Sequence, residues 1–195
     1  MERENTSIDI LKNIAKHEGW DIDVKSRTHS TRHGHHVREV HIKNYEYKDC
    51  LFISNQTTRS DKYRSYSGVF VPITFKHDYK LLIRKRDVLD KLSFRKDRLR
   101  FKTGASDFDS KIYIETNNDI ETHKLLSSSG IQLKIIEFLE STEQLEIGVG
   151  NSNLYIDDNS AKNYLSVIIY MGWMLDKELI NSAFKLADIL KMKFN

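Results

Sequence analysis

The sequence predicts an α+β fold: one unit on a mostly antiparallel sheet, with helices at the N-terminus, in the middle (residues 118–140) and at the C-terminus. Three observations predict it. Apolar residues alternate with polar ones in several short runs between residues 20 and 116, the period of a half-buried strand. After residue 118 the apolar spacing changes to that of a helix. Strands and helices come in separate runs, without the strict alternation that builds a parallel sheet. A chain of 195 residues is one ordinary domain, or at most two small ones. We read a single domain over residues 1–195, with a division near residue 105, where charge and helix content both change.

The elements follow in order. Ser7 caps a helix over residues 7–18, Leu11, Ile14 and Ala15 form its apolar stripe, and Gly19 stops it. Trp20, Ile22 and Val24 alternate with Asp21, Asp23 and Lys25, which predicts a strand. Residues 26–36 are polar and read as a loop. Strands are expected over 37–42, 50–54 and 68–75, the last at an edge or a bulge because Pro72 interrupts it. Short strands are expected at 81–83 and 99–101, with a helical turn over 87–92 between them, and a further strand at 111–116. Asp109 reads as a turn residue before that strand.

Asn118 and Glu121 resemble a capping box. Ile120, Leu125 and Leu126, then Ile131, Ile135, Ile136 and Leu139, give a helix over 118–140 broken at Ser127–Gly130. Residues 145–149 and 154–156 read as a hairpin. Residues 165–173 are apolar and β-branched, hence a strand. Asp176 caps a last helix over 176–194, striped by Ile180, Phe184, Ala187 and Leu190.

Cys50 is the only cysteine, so no intramolecular disulfide forms, and a reducing compartment is expected. It stands in an apolar run and reads as a buried small hydrophobe. The N-terminus has no signal-peptide pattern. The longest apolar run, residues 165–175, falls short of the ~20 residues of a spanning helix. These features predict a cytoplasmic protein. No phosphate loop, dinucleotide fingerprint, nucleophile elbow or zinc-protease motif is present, so no cofactor and no catalytic residue is assigned.

Charge is unevenly spread. The net charge of +3 combines +2 over residues 1–75, +7 over 76–102 and −6 over 103–195. Residues 76–102 carry eleven basic and four acidic side chains, interleaved with Phe75, Tyr79, Phe94 and Phe101. Lys80, Arg84, Arg86, Arg95, Arg98, Arg100 and Lys102 are the candidate binding residues of a basic surface. Clustered Lys and Arg contact phosphates, and aromatic side chains stack on bases, so nucleic acid is one partner this composition fits. An anionic membrane surface is another, at ~1 kcal/mol per basic residue. A plainer reading is a pair of strands with basic outward positions, since Arg84 and Arg86, and Arg98, Arg100 and Lys102, stand two apart.

Five of the eight histidines fall between His29 and His41. His33, His35 and His41 are the candidate metal ligands, because neutral imidazole binds zinc, nickel or copper. No fixed ligand spacing is matched, and a solvated loop is the plainer reading of the tract. Asp23-Val24-Lys25 matches half of a metal-dependent hydrolase site, which needs a second acid on a neighbouring strand.

One stretch resembles a known family. Ser67-Gly68-Val69-Phe70 is followed by Phe108-Asp109-Ser110-Lys111-Ile112-Tyr113-Ile114, then Asn118-Asp119, Leu125-Leu126, and Leu154-Tyr155-Ile156. These runs resemble an uncharacterised bacterial family with a Gly-x-Phe strand, a Phe-Asp-x-x-Phe-x-Val strand, a Leu-Leu helix and a hairpin ending near Leu-Tyr-Ile. The resemblance covers about residues 37–157. Ile112 and Ile114 stand where the family has an aromatic residue and Val. It implies a non-enzymatic module, often preceded by membrane helices, and supplies no catalytic residue. The expected function is a non-catalytic binding or scaffold module acting on a protein partner or an anionic surface. Nucleic-acid binding through residues 76–102 is the second expectation, and metal-dependent hydrolysis with Asp23, Lys25 and the histidines the third.

Overall fold

A computed structural model describes residues 6–29, 35–57, 65–74, 79–92, 100–150 and 163–194. Among these, eight strands form one sheet in the order β1-β2-β3-β4-β8-β7-β5-β6, and every neighbouring pair is antiparallel. The strands are β1 (Asp21–His29), β2 (His35–Lys43), β3 (Leu51–Thr57), β4 (Ser65–Pro72), β5 (Leu81–Lys85), β6 (Ile112–Thr116), β7 (Leu145–Val149) and β8 (Tyr164–Tyr170). The helices are α1 (Ser7–Glu18), α2 (Val88–Leu92), α3 (Ser106–Lys111), α4 (Asp119–Leu126), α5 (Ser129–Ser141) and α6 (Lys177–Lys191). The α+β class with an antiparallel sheet is therefore the observed one. The sheet runs through residues on both sides of position 105.

The helix ends follow from their caps. Thr6 precedes α1 and forms a capping box with Asp9, one residue earlier than the sequence suggested. Gly19 closes α1 in the left-handed region at φ 69°. Asn118 accepts from the Glu121 N–H at 3.2 Å to start α4, and Asp176 accepts from the Leu179 N–H at 2.8 Å to start α6.

Alternation divides the sheet into two faces. Val40, Phe52, Val69, Val167, Ile147, Ile83 and Ile114 point to one face and meet the helices in the main core. Phe184 of α6 sits at its centre, with ring centroids 5.7 Å from Trp20, 5.8 Å from Tyr47 and 6.4 Å from Phe52. The other face carries a smaller buried cluster of Ile53, Tyr66, Phe70 and Ile168. Cys50 is buried, and burial pushes its thiol up to about 12, so it is inert near neutral pH.

Several expectations change. Residues 26–29 and 35–36 belong to β1 and β2, whose ladder extends to His29 opposite His35. Polar letters there do not interrupt the backbone ladder. Pro72 does not mark an edge, because β4 lies between β3 and β8. It is the last residue of β4, beyond the end of the β3 ladder at Phe70. Its missing N–H therefore breaks no bond to β3. Asp109 lies inside α3, a six-residue helix that the sequence reading missed. Residues 100–101 carry no strand assignment, although the Phe101 N–H donates to the Ile114 carbonyl at 3.1 Å. The expected second arm of the 145–156 hairpin lies outside the described residues, and β7 pairs instead with β5 and β8.

Candidate functional site

The basic stretch begins on β5 and turns into α2. Arg84 and Leu82 point to the face opposite the main core, because Leu81 and Ile83 point into it. Arg84 does not reach solvent as a free cation. Its guanidinium grips Asp90 of α2 in a two-pronged pair, with Nη1–Oδ2 at 2.6 Å and Nη2–Oδ1 at 2.7 Å. It also lies over the Tyr113 ring, 4.3 Å from the centroid. Glu146 stands opposite Arg84 on β7. Burial raises its carboxyl above the ordinary range, and Arg84 opposes that rise.

Asp90 is a buried carboxylate with a structural task. It accepts from the Asp87 N–H at 3.0 Å, while Asp87 accepts from the Asp90 N–H at 2.7 Å. This reciprocal pair starts α2 as a capping box does. The hydrogen bonds from Arg84 hold the Asp90 carboxyl down to about 2, burial acting against them. A carboxyl lowered by folding stabilises the fold above its ordinary range near 3.8. That contribution fades as pH falls from there through about 2.

The pairing of Arg84 with Asp90 fixes what α2 shows outward. Val88 is 69% exposed and Leu89 is 70% exposed, side by side on the first turn. Lys85, just before them, is exposed. Residues 84–100 as a sequence carry eight basic and three acidic side chains. Two bare aliphatic residues therefore stand within the most basic part of the chain. Composition alone did not single them out, since helical spacing in a five-residue helix gives no amphipathic signal.

The remaining basic candidates separate in space. Arg100 donates to the Asp109 carbonyl at 2.9 Å and the Ile112 carbonyl at 3.4 Å, closing the C-terminal end of α3. The Arg86 N–H donates to the Lys111 carbonyl at 2.7 Å, and Lys102 is exposed. Lys80 is exposed at the opposite end of β5 from Lys85, where its N–H donates to Asn117 Oδ1 at 2.7 Å. Five residues of strand, ~16 Å, lie between those two ends. Arg95 and Arg98 lie outside the described residues.

His33 also lies outside the described residues, and His35 is described only as backbone, at the start of β2. His41 Nε2 contacts the Glu39 carboxylate within β2. On that same face Asp23 stands opposite His41, and Lys25 opposite Glu39. The neighbouring-strand acid that Asp23 and Lys25 called for is thus Glu39, but His41 engages it. Among the described residues no group of three or more His, Cys, Asp or Glu side chains converges as a metal site.

A groove of about 640 Å³ lies between α5 and α6, touched by Phe138 and Leu186 and edged by Lys134, Lys185, Glu137 and Glu178. Its mixed charges favour neither sign of ligand. Among the described residues no helix is long and apolar enough to cross a membrane. No family model matches the chain, and neither does any curated protein or solved structure.

Proposed function

We propose that this protein is a non-catalytic module that docks on an anionic membrane surface through α2 and the basic segment around it. The observation that carries this reading is the exposure of Val88 and Leu89 together, 69% and 70%, in the most basic part of the chain. A bilayer offers both complements at once, anionic headgroups for exposed cations such as Lys85 and acyl chains for the aliphatic pair. A phosphate backbone offers only the first. The family resemblance carried by Gly68-Val69-Phe70 and Phe108-Asp109, in which members commonly carry membrane helices, supports the same surface.

The test is sedimentation with vesicles of phosphatidylcholine alone and of phosphatidylcholine mixed with phosphatidylserine. Binding is expected only to the mixed vesicles. It is expected to weaken with salt without vanishing, because the aliphatic contact is not screened. Displacement from the vesicles by a mixed-sequence oligonucleotide would overturn the reading in favour of nucleic acid. Equal binding to both vesicle types, or to neither, would also contradict it.

A further inference from the structure

β1 is an edge strand, at the far end of the strand order from β5 and β6. Among the described residues no strand pairs with its outer side. Asp21 and Asp23 are exposed, and Ile22, Val24 and Lys25 are half-buried. The strand reads Asp21-Ile22-Asp23-Val24-Lys25-Ser26-Arg27, and Asp21, Asp23 and Lys25 share the face opposite the main core, acids before base.

We propose that β1 pairs antiparallel with β1 of a second copy of this chain, about a two-fold axis at Val24, joining two sheets into one. The charge order selects both the occupant and the register. With the axis at Val24, Asp23 meets Lys25 of the other copy, and symmetry repeats that pair, while position 21, whose carboxylate accepts from the Tyr45 hydroxyl, falls opposite position 27 in the ladder. Each opposite-charge pair across a ladder is favourable. Ile22 meets Ser26 and Val24 meets Val24 on the face that continues the main core. The neighbouring registers are worse. An axis at Lys25 sets Lys25 against itself, an axis at Asp23 sets Asp23 against itself, and an axis at Ser26 sets Lys25 against Arg27. An axis between two residues would put paired side chains on opposite faces of the joined sheet. A single charged edge strand discourages indiscriminate pairing. Here the order of charges admits a second copy in one register. The inference rests on β1 alone and stands apart from the membrane reading of α2.

The test reads the oligomeric state by sedimentation equilibrium over a concentration series. The native chain is expected to dimerise. Asp23→Lys, which sets Lys against Lys twice, is expected to weaken the dimer about tenfold or more. The double change Asp23→Lys with Lys25→Asp is expected to restore it, since the pairs are reversed and remain opposite. Val24→Cys is expected to cross-link under mild oxidation, because axis residues face each other across the ladder at about 4.5–5.5 Å. Lys25→Cys, displaced from its own copy by a diagonal step of about 7–8 Å, is not. The buried native Cys50 leaves that readout clean. A native chain that stays monomeric throughout overturns the proposal. So does a double variant no stronger than Asp23→Lys, or cross-linking at position 25 as fast as at 24.

Discussion

Gly68→Ala is expected to lower the unfolding free energy by about 3 kcal/mol, the upper end of the usual cost of overpacking. A β-carbon at Gly68 would lie 2.2 Å from the Val167 carbonyl oxygen and 2.6 Å from the Ile168 α-carbon, both backbone atoms of β8. Neither can turn aside as a flexible side chain would. β4 cannot retreat either, because β3 pairs with its other side from Phe70 to Ser65. The strain must therefore spread through a central ladder. Urea denaturation followed by circular dichroism measures it as a lower midpoint with an unchanged slope. Gly172→Ala is the matched control. Nothing lies within 4 Å of its β-carbon position, and little change is expected there.

Replacing Val88 and Leu89 together by Asp is expected to lower binding to phosphatidylserine vesicles by about 100-fold. Inserting one aliphatic side chain is worth at least ~1.5 kcal/mol, so the pair accounts for ~3 kcal/mol before any repulsion is counted. Folding is expected to be preserved. Both side chains are mostly exposed, and acidic residues suit the first turn of a helix. Co-sedimentation checks the loss, and an unchanged urea midpoint shows that it is not a folding defect. Serine at both positions is the milder companion, removing the apolar contact without adding charge.

Much of the fold is legible in the sequence because burial writes a period into it. The α1 stripe of Leu11 and Ala15, the α6 stripe from Ile180 to Leu190, and the alternation of Leu145, Ile147 and Val149 each mark one buried face. The misses share a physical cause. Arg27 and His36 lie in strands although the segment around them is polar. α3 is six residues long, too short to show a stripe, and Asp109 serves it through contacts no pattern contains. Its carboxylate accepts from the Thr103 N–H at 3.0 Å and the Gly104 N–H at 2.9 Å.

The candidate site was legible only in part. The excess of positive charge over residues 76–102 is visible in the letters, but its division is not. Arg84 is taken up by Asp90 and Tyr113, Arg100 closes α3, and Lys80 stands at the other end of β5. Pairings of this kind depend on which residues the chain reversals bring together, and a linear charge count is blind to them. The family-like motifs have the same character. Gly68 lets β4 approach β8, Phe108 is buried in the core, and Asp109 ties down the turn before α3. These residues hold the fold, and the surface proposed for docking lies elsewhere, at the exposed Val88 and Leu89.

The measurement that bears most directly on that surface is the fluorescence of an environment-sensitive dye on a single cysteine at position 89, in a chain whose native Cys50 is buried. Vesicles containing phosphatidylserine are titrated in, with a dye at the exposed Glu178 of α6 as the reference site. Insertion of α2 expects a blue shift and a gain in intensity at position 89 alone. Vesicle binding with no change at position 89, or with the same change at position 178, would contradict it.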